Sequence, residues 1–405
     1  MPDAYTRNLR MPELLVLALG AFTHGVDRHL LTGLMPQVST DLHVSASTFG
    51  ASTALFAAVF AVASPIIAAL TESWERRLLL GVSMAMFLAG ILLQVTASGL
   101  PALLAGSALI GLSGTMYLPT AYSSAGVRST SAARARSLSL VLLGASLALV
   151  AGVPLAIWVG QTWGWRASLW ILGGFALAST LPLPTLSPIP VPPPQQRRWQ
   201  ILSDRSVINL MGITVAVMTP SFLTFTYLAT ILHATAKIVP LAMLSLGIGG
   251  VAGAALAPPL VNWRGAPFAT LAAACGVTLT LFVFLMTHGT LAGTLAPLFG
   301  IGALNAVLVI AQQHRVLAMV PETAAPFAIG LDGSAVYAGG ALGAAVGGAV
   351  LAIFGTGGLV PASIFISLGA ITFAAAARPE KAKPVDAHSP NISTRRISQW
   401  HRSEA

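Results

Sequence analysis

Twelve times along this chain, a run of about 20 residues passes with almost nothing but Leu, Ala, Val, Gly, Ile and Phe. That repetition restricts the fold more than any other feature. A helix needs about 20 apolar residues to cross a hydrocarbon layer of about 30 Å. Inside lipid the backbone must satisfy its own hydrogen bonds, which leaves helices and closed barrels. A barrel strand alternates apolar and polar residues over about 10 positions, and these runs do not alternate. Only 8% of the residues are charged and 55% are hydrophobic, against about a quarter charged in a soluble domain. The expected fold class is an all-α integral membrane protein with twelve transmembrane helices arranged as two six-helix bundles.

The runs fall near 12–35, 47–70, 78–98, 100–123, 136–160 and 167–186, then 205–231, 238–261, 267–287, 291–313, 327–353 and 358–377. Between the sixes lies "LPLPTLSPIPVPPPQQRRWQILSDRS", too rich in proline for a continuous helix and read as an extended linker. The expected division is an N-terminal bundle over 1–186, a cytoplasmic linker over 187–204, a C-terminal bundle over 205–377 and a disordered tail over 378–405. Six spans, a linker and six spans is the layout of a duplicated transporter with its site between the halves.

Lys and Arg sort by side. With the N-terminus in the cytoplasm, 18 of the 21 basic residues fall inside, Arg166 and Lys237 fall outside, and Arg28 is left as the only one within a span. Both termini are therefore expected in the cytoplasm of a cell that carries the protein in its inner membrane. The net charge of +9 is then a topology signal rather than a nucleic-acid footprint, although the basic tail can touch anionic lipid. The first run is broken by Asp27-Arg28 and reads as helix one rather than a cleaved signal. One cysteine, Cys275, excludes a disulfide framework, and no metal-ligand spacing, phosphate loop or nucleophile motif points to an enzyme. No metal and no cofactor is expected.

Of the twelve acidic residues, only Asp27 and Asp332 fall at membrane depth. A charge there costs at least about 2.5–3.5 kcal/mol on insertion scales, so it should meet a cavity or a partner. In "FTHGVDRHLLTGLMP", residues 22–36, Asp27 lies about fifteen residues into the helix, roughly 22 Å along it at 1.5 Å per residue. His24, Asp27, Arg28 and Leu31 share an arc at i, i+3, i+4 and i+7. One reading is a proton carrier, Asp27, beside a fixed positive charge, Arg28, with His24 as a relay; the other is a static salt bridge to a neighbouring helix. His29 carries less, since a lone histidine in a helix is more often structural. Asp332, in "FAIGLDGSAVYAGG", is expected about one turn inside helix eleven, where a helix-end bond and a substrate contact are equally open. Tyr117, Thr226, Tyr227, Asn305, Gln312 and Asp332 are the candidate cavity groups, each with a structural hydrogen bond as the alternative.

Three longer stretches carry motifs: "AALTESWERRLLL" (68–80), "GASLALVAGVPLAIWVGQTWGWRASLW" (144–170) and "FLTFTYLATIL" (222–232). Gly152 and Pro154 sit inside helix five, where loss of a side chain and of a backbone donor permits bending and close packing. Gly339, Gly343 and Gly347 form a ladder at i, i+4, i+8 in helix eleven that suits helix packing. From "GVDRHLLTGLMPQVSTDLHVS" to "SAVYAGGALGAAVGG" the chain resembles the major facilitator superfamily, in its twelve-span drug/proton antiporter branch of sugar-efflux and chloramphenicol-resistance-like exporters.

That resemblance implies alternating access without a cofactor, powered by a proton gradient, and the "GVPLA" element resembles the branch's antiporter motif, which favours efflux. It also implies a gating role for the loop after helix two, carried here by Glu72, Arg76 and Arg77, although the family's glycines are gone. A basic anchor is the plainer reading of that loop. The family's intramembrane Arg of helix four is replaced by Ser107, with Gly111 retained. Either Arg28 supplies that positive charge from helix one, or coupling is altered. The expected function is proton-coupled efflux of a small hydrophobic or amphipathic solute by a monomer whose partners are its substrate, protons and membrane lipids, with no nucleic acid. The alternatives are a facilitator or importer of an anionic solute using Arg28, and a transport-inactive membrane sensor or assembly partner.

Overall fold

The computed structural model describes residues 10–127, 131–186, 203–232, 237–320 and 325–376. Most of the expected linker, the 378–405 tail and the basic residues Arg7, Arg128, Arg197 and Arg198 lie outside the described residues.

Twelve helices are long and apolar enough to cross a membrane. They are α1 (Met11–Gly33), α2 (Ala46–Leu70), α3 (Arg76–Val95), α4 (Leu100–Val127), α5, α6 (Trp165–Thr180), α7 (Arg205–Thr226), α8 (Val239–Arg264), α9 (Ala266–Thr287), α10 (Leu291–Met319), α11 (Ala325–Phe354) and α12 (Leu359–Ala376). Helix α5 consists of Ser131–Leu147, a π-helical turn Ala148–Gly152, and Val153–Trp163. Starts are set by side chains that accept the free N–H groups of a first turn: Ser45 for α2, Asp204 for α7 and Thr290 for α10. Glu75 does the same for α3, accepting from the amides of Arg77 and Leu78 at 3.2 and 3.0 Å, where its charge also suits the helix dipole.

Helix α10 departs from the sequence reading. Its apolar run stops near 313, but the helix continues to Met319 and carries Arg315 with it, only 7% exposed. Arg28 is thus not the only basic residue within a span. Helical continuity, with each backbone bond supporting the next, outlasts the hydropathy signal here.

Within the first half, α1 packs on α5 and α6, and α4 packs on α2 and α3; within the second, α10 packs on α8 and α9, and α7 packs on α11 and α12. The halves meet through α2 against α11 and α5 against α8. The glycine ladder of α11 serves α7: a Cβ on Gly339 or Gly343 would sit 2.8 or 2.6 Å from the carbonyl oxygen of Val215 or Thr219. Many large apolar side chains, Leu155, Trp158, Phe282 and Phe365 among them, point away from the protein. Helices apolar on every side suit lipid as the surrounding solvent.

The two halves also touch at the end that the sequence assigns to the outside. Thr230 donates to Met35 Sδ at 3.3 Å, the Tyr227 hydroxyl fills the space beside Gly50, and Gly348 abuts the Ser47 carbonyl. That end is shut.

Candidate functional site: two small cavities beside helix α1

The groups of α1 grouped on one arc by the sequence go to three different places. His24 turns into the first bundle. Its Nδ1 donates to the Gly20 carbonyl at 2.9 Å, and its ring stacks on Tyr117 with centroids 4.8 Å apart. Its Nε2 lies 2.8 Å from the Ser113 hydroxyl, whose single proton it shares with the Ser83 carbonyl at 2.7 Å. Tyr117 in turn donates to the Leu17 carbonyl at 3.2 Å. His24 and Tyr117 therefore tie α1, α3 and α4 together, and each spends its polar atoms on that task.

Asp27 faces a separate cavity of about 20 Å³, room for about one water molecule, shared with Ser52, Thr53, Gln94 and Ser107. The carboxyl is 7% exposed and its Oδ1 has no hydrogen-bond partner. Among the described residues, Asp27 makes no ion pair. Gln94 donates to Ser107 Oγ at 3.3 Å, so an uncharged amide–hydroxyl pair occupies the place where the resemblance expects an arginine. The side chain of Asp27 points neither to lipid nor onto a guanidinium.

Arg28 borders the Asp27 cavity and a second one, also about 20 Å³, between the bundles. This second space is lined from α1 by Arg28, His29 and Thr32, from α2 by Thr53 and Phe56, from α7 by Phe222, Phe225 and Thr226, and from α11 by Tyr337. The Arg28 guanidinium lies 4.7 Å from the centroid of the Tyr337 ring, which also stacks on Phe60 at 3.7 Å and meets Phe56 at 6.1 Å. His29 meets Phe225 edge to face at 4.6 Å with its Nδ1 unbonded, and Thr226 Oγ1 is likewise buried without a partner. Buried polar groups in native proteins are nearly all bonded. Three unsatisfied or unpaired groups, Arg28, His29 and Thr226, thus surround one space.

The remaining candidates lie elsewhere. Tyr227 donates to the Ala344 carbonyl at 2.8 Å and packs against α11. Asn305 is half-buried with Oδ1 unbonded, and does not line the inter-bundle space. Asp332 sits about two turns into α11, fully buried, accepting from Thr214 Oγ1 at 3.0 Å. Gln312 donates to that same Thr214 hydroxyl at 2.8 Å while its own carbonyl oxygen accepts from Arg315 at 2.9 Å. Asp332 and Gln312 thus belong to a polar network of the second bundle, and neither helix-end bonding nor the inter-bundle space describes them.

In the loop between α2 and α3, Arg77 donates to the carbonyls of Pro184 and Leu186 at 3.2 and 3.1 Å, anchoring its own half to the end of α6. Arg76 has its Nε buried and unbonded. Glu72 stands in the turn between α2 and α3. At Gly152 a Cβ would lie 2.4 Å from Val26 Cγ2, so the missing side chain lets α5 close on α1. The π turn ends at this residue, and its wider coil absorbs the ring and missing donor of Pro154 two residues on.

Sequence reading missed Gln94, His29 as a cavity group, and Tyr337. Gln94 had a signal, as the lone amide in the run "GILLQV"; Tyr337 stood inside a quoted motif without being singled out.

The family model described as Major Facilitator Superfamily matches residues 17–318. An MFS-type transporter of Bacillus subtilis (strain 168), YtbD, is 28% identical over 353 residues, covering 84% of this chain and 88% of its own. A chloramphenicol resistance protein of Streptomyces lividans is 29% identical over 267 residues, covering 62% and 67%. Among solved structures, a bacterial homolog of the human lysosomal transporter Spinster, in an inward-facing and unoccupied conformation, superposes with a TM-score of 0.73 at 14% identity, covering 92% of this chain and 97% of that one.

Proposed function

The chain belongs to the Major Facilitator Superfamily and is a multi-pass membrane transporter, and on that premise we propose that it exports a small hydrophobic or amphipathic solute in exchange for protons. The observation that carries this reading is the state of Asp27. A buried carboxyl with a free oxygen and no ion pair among the described residues can take up a proton without first breaking a salt bridge. Protonation removes the cost of holding a charge away from water, so two conformations that wet this residue differently hold the proton with different strength. That difference couples proton entry to rocking of the bundles. Efflux is favoured by the "GVPLA" element and by the likeness to a chloramphenicol resistance protein. The solute is assigned to the inter-bundle space, and both termini to the cytoplasmic side of the cell membrane.

The test is a susceptibility panel, chloramphenicol included, in cells lacking and overproducing the protein, with Asp27→Asn beside wild type. Overproduced wild type is expected to raise resistance to at least one compound. Asp27→Asn should reach the membrane at the same level and give none. Full resistance from that variant dismisses Asp27 as the carrier.

Arg28, without an ion pair among the described residues, favours a second reading, in which an anionic solute moves inward or downhill. Flux that ignores a collapsed pH gradient would select it.

A further inference from the structure

The inter-bundle space holds more chemistry than a generic apolar pocket, and its parts agree on one kind of guest. On the reading that this space is the transport site, we propose that it takes aromatic solutes whose polar head accepts hydrogen bonds and carries no positive charge, and that Arg28 excludes organic cations.

A guanidinium never deprotonates, and at membrane depth it needs compensation. In this closed state the face of Tyr337 lies 4.7 Å away, the Tyr122 phenol is close enough to act on the guanidinium, and no carboxylate pairs with it among the described residues. Arg28 belongs to α1 and Tyr337 to α11, so this cation–π contact spans the two bundles. The cavity is about 20 Å³, too small for an organic molecule, so any guest enters only when α2 and α11 part. Parting them pulls Tyr337 off the guanidinium. An aromatic ring from the solute replaces it like for like, and the walls of Phe56, Phe222 and Phe225 are suited to the same ring.

The head group follows from the polar rim. Arg28 offers only donors. Thr226 Oγ1 is buried with no partner, and its hydroxyl can donate as well. His29 Nδ1, also unbonded, donates or accepts according to tautomer. Nitro, carbonyl, hydroxyl and carboxylate groups satisfy such a rim. A quaternary or protonated amine does not: it leaves the donors bare and places like charges together in a low-dielectric space.

The experiment is equilibrium binding to purified full-length protein in lipid nanodiscs at neutral pH, with no gradient. The probes are 4-nitrobenzyl alcohol, 4-nitrobenzoate and (4-nitrobenzyl)trimethylammonium, with cyclohexylmethanol as the non-aromatic control. The alcohol and the benzoate are expected to bind at least about tenfold tighter than the ammonium, and the alcohol at least about tenfold tighter than cyclohexylmethanol. Arg28→Gln should bring the ammonium to within about threefold of the alcohol. An ammonium that binds wild type as well as the alcohol does, a non-aromatic that competes equally, or no measurable binding by any probe overturns the proposal. The wild-type order alone decides, so a misfolded Arg28 variant leaves the test standing. Because no gradient is applied, failure here is distinguishable from failure of proton coupling.

Discussion

At the scale of single residues, neighbours on one helix have separate duties. His24 is consumed by hydrogen bonds within its bundle, Asp27 faces a water-sized polar hole, and Arg28 and His29 look across to the other half. One of the two charged pairs among the described residues lies at the end that the sequence assigns to the outside. Arg166 bonds Asp41, stacks on Trp165, and donates to the carbonyls of Val95 and Ala97 at 2.9 and 2.8 Å where α3 ends. The hydrogen bond from Arg166 holds the Asp41 carboxyl below the usual carboxylate range. A carboxyl depressed in the folded state stabilises fully above its unfolded value, about 3.9, and that contribution is lost as pH falls through the folded value. Asp41→Asn should therefore lower the melting temperature slightly at pH 7, and the difference should shrink steadily as the medium is made more acidic than the ordinary carboxylate range; both Asp41 and Arg166 are partly solvated, so the effect is small. A difference that does not shrink with acid would contradict the assignment.

At the scale of elements, hydropathy announced the helices, because crossing lipid imposes a length that any span must meet. It could not announce the interior of α5. A π turn has no hydropathy signature, and its cause is local: Gly152 and Pro154 within three residues, pressed against α1 on one side and α8 on the other. Gly152→Ala would place its Cβ 2.4 Å from Val26 Cγ2 and should destabilise the protein by about 1–3 kcal/mol. Adding Val26→Ala should recover part of that loss, measured as melting temperature in lipid. A double variant no better than the single would mean that the strain lies elsewhere. The end of α10 illustrates the opposite limit, since the apolar run stopped before the helix did and left Arg315 beyond it.

At the scale of the whole molecule, the twelve spans were legible in the sequence, and the lining of the two cavities beside α1 only in part. Asp27, Arg28 and Thr226 stood out as polar groups in apolar runs; Asp27 lines one cavity, Thr226 the other, and Arg28 both. Gln94, His29 and Tyr337 gain their meaning from partners on other helices, which no reading along one chain supplies. The end that the sequence assigns to the outside is closed by Ser47 against Gly348 and Thr230 against Met35. In a Cys275→Ser background, Ser47→Cys with Gly348→Cys should oxidise to a bridge that stops transport, and reductant should restore it. Undiminished transport by the bridged protein would contradict a rocking mechanism.

The central claim is that Asp27 takes up and releases a proton during the cycle. The most direct measurement is pH-difference infrared spectroscopy of the purified protein in lipid, which sees a carboxylic acid by its carbonyl stretch and needs no substrate. The account predicts a protonated-acid band that comes and goes with pH in wild type and in Asp332→Asn, and that is missing in Asp27→Asn. A band that persists unchanged in Asp27→Asn, or no titrating band in wild type, would contradict it.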